Sequence, residues 1–390
     1  MRLTFLLVLN PAAHSGATTH CGQRRHPHGE STTPAAGARG RRIFRHGEKA
    51  AGHDTRPVGE QRGRARNVLQ TILFKPLGLL GSQGTKALAA SIFIGLALPQ
   101  FASLARPLIG TCVFFFLVFT FLRADFGTIR ALLRQPGRIA LAWAWIVASL
   151  ALALGGIVFA LGHDLVGPEL ALGLALMAAA PPVLSAPAVA TLLGFDASFL
   201  VTVLVASMVT TPLTAPLVAE VIAGAAVPID TSVLALRLAL LLGGAVVLAL
   251  VLRRLIGLAR IARERAALDG LNVVFFFIFA VGAMDGVAEA MLAKPLAVLT
   301  DVLIVFAVSF ACLAAGLGML AARFGAREAF VLGYATGHRN MGLLVAAMAG
   351  AVPDGTWLYF AMAQFPIYLM PLILEPLARR MLREPLPARR

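Results

Sequence analysis

Thr336-Gly337-His338-Arg339-Asn340 interrupts an otherwise apolar stretch near the end of this 390-residue chain, and Pro181-Pro182-Val183-Leu184-Ser185-Ala186-Pro187 interrupts another far upstream. Two such breaks, at corresponding places in two halves of a membrane protein, are the signature of crossed discontinuous helices. They leave backbone groups unpaired at the middle of the bilayer, which is tolerated where those groups line a site. The pattern points to a secondary transporter with its site between the two breaks.

Composition sets the class. The chain is 58% hydrophobic and only 14% charged, with a mean hydropathy of +0.82. Soluble domains lie nearer half apolar and a quarter charged. The apolar residues form runs of about 20, enough to cross roughly 30 Å of hydrocarbon. Cys21, Cys112 and Cys312 are too scattered for a disulfide framework, and no metal site is expected.

The first 67 residues differ. Residues 1–66 hold 12 of the 34 Lys and Arg residues and most of the histidines, without apolar periodicity. They read as a disordered basic N-terminal tail, not as a nucleic-acid or metal module. Leu3 to Leu9 imitates a short signal peptide, but cleavage there would contradict the charge pattern below. Residues 68–85, which carry Lys75-Pro76, read as an interfacial segment, and 381–390 as a basic cytoplasmic tail.

Between them, apolar runs predict ten transmembrane helices at about 86–104, 107–122, 138–161, 169–193, 198–222, 232–252, 270–291, 298–321, 328–350 and 355–378. With the N-terminus inside, the cytoplasmic ends collect Arg123, Arg130, Arg134 and Arg138, then Arg253, Arg254, Arg260, Arg263 and Arg265. Arg323 and Arg327 follow, then Arg379, Arg380, Arg383, Arg389 and Arg390. The opposite loops hold only Arg106 and Lys294. The positive-inside rule then places both termini in the cytoplasm and the protein in the inner (plasma) membrane.

An odd number of helices per half makes this an all-α polytopic membrane protein of two inverted five-helix repeats, 86–222 and 232–378. Predicted helices 4 and 9 are the crossed discontinuous pair. The helix after each carries two prolines, Pro212 and Pro216 or Pro371 and Pro376, and is expected to bend there.

Several residues now carry a resemblance. Leu122-Arg123-Ala124-Asp125-Phe126 with Leu133-Arg134-Gln135-Pro136 is similar to the loop between helices 2 and 3 of the bile acid:sodium symporter family. Ser185, Gly194, Thr202, Ser207, Thr210 and Pro212 resemble its helix 4–5 region, and Thr336 to Gly342 its helix 9 crossover. The likeness spans roughly 86–380. It implies a panel domain and a core domain, and uptake of a small organic anion with sodium by alternating access.

The ion site departs from that pattern. Family members using sodium place a carboxylate two residues before the crossover glycine and an amide two residues after it. Here those positions are Ala335 and Arg339, and the Asn expected after the helix 4 serine is Ala186. The coupling ion is therefore open between sodium, proton and none. No other cofactor is implied, and no pattern defines an oligomeric state.

The candidate substrate residues are Ser185, Pro187, Thr336, Gly337, His338, Arg339 and Asn340. Asp285, Thr336 and Asn340 are the ion-coupling candidates. Asp285 and Glu289 are one turn apart on predicted helix 7; an intramembrane carboxylate usually marks an ion path or a paired charge. Asp285 is a candidate proton-titrating group or counter-ion of Arg339; alternatively the N–H donors of Arg339 meet the exposed helix carbonyls at the crossover, its fixed charge replacing that of sodium. Arg237 is expected to snorkel and Asp301 to be interfacial. Gly155-Gly156, Gly243-Gly244 and Gly316-Leu317-Gly318 read as helix packing, since no strand precedes them as a nucleotide loop requires.

No nucleophile elbow or zinc-protease motif is present, so an enzyme is not expected. The helix 4 cysteine expected of an arsenite exporter in the wider superfamily is missing. The competing reading is a non-transporting receptor or scaffold that keeps the transporter fold.

Overall fold

The computed structural model describes residues 92–124, 127, 134–224 and 229–383. The N-terminal tail (1–67), the segment 68–85 and residues 384–390 of the C-terminal tail lie outside the described residues. Every described element is a helix, and seven helical spans are long and apolar enough to cross a membrane. Large apolar side chains such as Leu152, Phe159 and Leu292 stand exposed on the outer surface, where lipid would cover them. The chain is a helical, multi-pass membrane protein.

Residues 92–97 are helical and stop at Leu98, whose φ of −131° and ψ of 74° leave the helical region. The cause is Pro99, which disfavours helix at the preceding residue and then starts α1 (Pro99–Ala105). A single 3₁₀ turn, Arg106–Leu108, joins α1 to α2 (Ile109–Arg123). The predicted boundary between helices 1 and 2 at 104–107 is thus corrected: the chain breaks at Leu98 and runs as one span from 99 to 123.

Glycine ends and proline starts then punctuate the fold. α3 (Pro136–Leu161) closes on Gly162 at φ +82°. The short α4 (His163–Val166) closes on Gly167, and α5 (Pro168–Ala179) begins at the next residue. These are positions where only glycine is unstrained and where proline loses no hydrogen bond. α5 stops at Ala180-Pro181-Pro182. After Ser185 the chain resumes as α6 (Ala186–Leu192), then α7 (Ser198–Ala223). α7 stays one helix through Pro212 and Pro216.

The second half holds α8 (Thr231–Ile256), α9 (Leu258–Arg263), α10 (Arg265–Ala283) and α11 (Val287–Ala293). Predicted helix 7 is therefore interrupted at 284–286, where Gly286 is left-handed. Asp285 and Glu289 do not share one helical face. α12 (Pro295–Phe324) is followed by α13 (Ala326–Gly337), the break at 338–340, and α14 (Met341–Ala347). α15 (Asp354–Met362) and α16 (Gln364–Arg383) meet at Ala363, while Pro371 and Pro376 lie inside α16. The joint in predicted helix 10 is thus upstream of its prolines.

α1, α2, α8 and α10 pack on one another, and α3, α5, α7, α12, α13 and α15 form a second group. α7 and α14 touch both. α12 and α13 approach closely through their main chains: a methyl on Gly316 would sit 2.5 Å from Gly333 Cα. In each glycine pair only one member packs this way. Gly155 faces Ile222, Gly244 faces Phe114 and Gly316 faces Gly333, whereas Gly156, Gly243 and Gly318 have nothing within 4 Å.

Candidate functional site

The two breaks meet. Val183 N donates to His338 O at 2.8 Å and Asn340 N to Pro181 O at 2.8 Å, a single antiparallel bridge between Pro182 and Arg339. Each break thus satisfies part of the backbone that the other leaves open.

The remainder is satisfied by one side chain. In a continuous helix the carbonyls of Met177 and Ala178 would accept from residues 181 and 182. Both are prolines and have no N–H. Arg339 supplies the missing donors: Nε donates to Met177 O at 3.3 Å and Nη2 to Ala178 O at 2.9 Å. Nη2 also donates to Ile146 O of α3 at 2.9 Å. A planar fork with several donors suits this task, which a lysine could not perform. The arginine is buried, 3% exposed, and Nη1 has no hydrogen-bond partner. Among the described residues it makes no ion pair.

Asp285 is not its counter-ion. The Asp285 carboxylate takes Arg106 Nη1 at 3.0 Å, its main-chain oxygen accepts from Trp357 Nε1 at 3.0 Å, and the Arg106 guanidinium lies 4.1 Å from the Trp357 ring. This cluster joins the 3₁₀ turn, the α10–α11 break and α15. Both charged groups are partly exposed, so a double-mutant cycle of Arg106→Ala and Asp285→Ala, read by thermal unfolding, is expected to give a coupling of about 1 kcal/mol or less. Strictly additive losses would show that the pair contributes nothing. Arg237 does not simply snorkel: Nη1 reaches Ala347 O and Met348 O at 3.3 and 3.4 Å, at the end of α14. Glu289 is exposed on α11.

The other sequence-predicted residues divide into two groups. Gly337, Thr336 and His338 are packed into the protein. Thr336 Oγ1 donates to Leu332 O at 2.8 Å and accepts from Trp145 Nε1 at 3.1 Å. The His338 ring stacks on Tyr334 at 4.0 Å, and Nδ1 donates to Tyr334 O at 2.7 Å. Gly337 lies so close to α12 that an added methyl would be 2.9 Å from Ser309 Cα. Ser185, Pro187 and Asn340 are partly exposed, and Asn340 Nδ2 is unpartnered. The Ser185 carbonyl accepts from Val189 N, and the Pro187 carbonyl from Thr191 Oγ1.

A small cavity of about 10 Å³ borders Arg339, room for roughly one water molecule. Its polar side chains are those of Arg339 and of Ser207, Thr211 and Thr214 of α7, beside residues 178–181 of the break; Thr336 and His338 do not line it. Thr211 and Thr214 were missed in the sequence, although three hydroxyl residues at i, i+4 and i+7 mark one face of a helix.

At the crossing Arg339 occupies the Met177 and Ala178 carbonyls, and Ala335 offers no carboxylate, so these groups are poorly suited to a sodium ion. Among the described residues no cluster of three or more His, Cys, Asp or Glu side chains could hold a metal ion. No protein-family model and no curated protein matches this chain.

Proposed function

We propose that this chain is a secondary transporter of the bile acid:sodium symporter type, which moves a small organic anion by alternating access without a sodium ion at the crossing. The observation that carries this reading is the backbone bridge between the two breaks, with a buried, uncompensated arginine at its centre. A fixed guanidinium there attracts an anion and repels a cation. Anionic substrates suit it better than neutral ones.

The finer architecture belongs to the same proposal. The seven long spans omit the two broken helices, α5–α6 and α13–α14, whose halves are each too short to count. Adding them gives nine; the described helical residues 92–97 precede the first long span, and counting predicted helix 1 there makes the proposed ten in two inverted repeats. The group of α1, α2, α8 and α10 then corresponds to a panel domain, and the group around α3, α5, α7, α12 and α13 to a core domain. The arginine distribution supports cytoplasmic termini, and the proposed location is the inner (plasma) membrane.

Flux of labelled carboxylates and sulfonates into proteoliposomes tests the reading. Uptake is expected to be equal in sodium and choline to within about twofold, because no step requires sodium binding. Strict sodium dependence would overturn it. Saturable binding of an organic anion with no flux under either cation would favour a receptor that keeps the fold.

A further inference from the structure

The cavity beside Arg339 has features that transport of an organic molecule does not explain. Two edges of the guanidinium are spent on the carbonyls that Pro181 and Pro182 cannot satisfy. The remaining edge, Nη1, is buried without a partner. Arg339 lines the cavity, and no carboxylate does. Main-chain carbonyls offer only partial negative charge, so a full positive charge is left uncompensated in a low-dielectric interior.

The other polar side chains of the lining can serve an anion. Ser207 Oγ donates to Val203 O at 2.8 Å, Thr211 Oγ1 to Ser207 O at 2.7 Å and Thr214 Oγ1 to Thr210 O at 3.2 Å. In each case the acceptor is a carbonyl of the same helix, four residues back. That carbonyl can keep its backbone partner when a hydroxyl rotates away, and hydroxyl hydrogens turn to suit what faces them. All three hydroxyls can therefore exchange an intrahelical bond for one to an ion in the cavity.

Size decides the ion. About 10 Å³ accepts one atom or one water. A carboxylate or sulfonate has at least three heavy atoms and would need α3 and α7 to part. We infer that the cavity is a binding site for a single halide ion, held between Arg339 Nη1 and the hydroxyls of Ser207 and Thr211. The halide compensates the arginine while the crossing is closed. An incoming organic anion displaces it when the crossing opens. This second step rests on the proposed transport function; the halide site itself does not.

The test uses the full-length protein in detergent, with sodium bromide titrated against sodium gluconate at constant ionic strength. Trp143 and Trp145 lie on α3, three residues and one residue before the cavity residue Ile146, and a bound bromide is expected to quench their fluorescence. A saturable component is expected on top of linear collisional quenching, together with a bromide-dependent rise in unfolding temperature. Both should vanish in Arg339→Gln. The double variant Ser207→Ala, Thr211→Val keeps the arginine and its carbonyl bonds, and should weaken bromide by about tenfold or more. It keeps the question answerable if Arg339→Gln does not fold. Purely linear quenching with no stabilisation in the wild type would mean that the cavity holds water. Unchanged affinity in the double variant would put the halide elsewhere. Saturable bromide binding without organic-anion flux would keep this site and remove the transport reading; flux without bromide binding would do the reverse.

Discussion

Arg339→Gln is expected to abolish organic-anion flux, by about two orders of magnitude, while costing only a few kcal/mol of stability. The flux estimate follows from removing a buried charge that its ligand pairs with, typically 2–5 kcal/mol, or roughly thirtyfold to several thousandfold. Two opposing terms set the stability cost. The Met177 and Ala178 carbonyls lose the donors that stand in for two missing proline N–H groups, at about 1–3 kcal/mol each. Against that, an uncompensated buried charge disappears, which is favourable. The net loss should be about 2–4 kcal/mol, readable by thermal or denaturant unfolding. Arg339→Lys separates charge from geometry: it keeps the positive charge but cannot bridge Met177, Ala178 and Ile146. Partial flux in the lysine variant would show that charge is the functional property. Full flux in Arg339→Gln would leave the arginine a structural brace and the proposed function without its central group.

The same arginine shows how far the sequence could be read. The breaks were legible because their cause is local. Two consecutive prolines cannot continue a helix, and a Gly-His-Arg-Asn run has no place in lipid unless it is covered. The pairing of the breaks was legible too, from their matching positions in two halves. That the donors of Arg339 would meet exposed carbonyls of the crossing was legible as well. Prolines at 181 and 182 leave the carbonyls of Met177 and Ala178 without donors, and the other break contains the only long donor near it in sequence, Arg339. Nothing local, however, says that Arg106 rather than Arg339 meets Asp285, because 179 residues separate the partners. Leu98 was misjudged for a different reason. Apolar residues run through the region on both sides, and only Pro99, acting on the residue before it, marks the interruption. Of the α7 face toward the cavity only Ser207 was singled out, because the helix is largely apolar and its short hydroxyls barely disturb the pattern.

Gly337→Val should damage the crossing more than any other single change on α13. A side chain at 337 meets main-chain atoms of α12, Ser309 Cα at 2.9 Å and Ser309 O at 3.1 Å, with Cys312 Cβ at 3.2 Å. No rotamer relieves a clash at Cβ itself, so the two helices must separate. Alanine alone is expected to cost about 1–3 kcal/mol, the usual price of overpacking a filled interior. Valine adds two methyl groups in the same place and should cost more than about 3 kcal/mol. The effect on flux should exceed the effect on stability. Residue 337 is followed directly by His338, whose carbonyl receives Val183 N, and by Arg339, whose fork spans α3 and α5. A shift of a few tenths of an ångström there misdirects Nη1 while most of the fold survives. Gly318→Ala is the control, since its added methyl meets nothing within 4 Å on the same helix interface partner, α12. It should be neutral or slightly stabilising, because alanine is the better helix former. Wild-type unfolding and wild-type flux in Gly337→Ala would show that α12 and α13 can part without cost, and that the position of Arg339 does not depend on their contact.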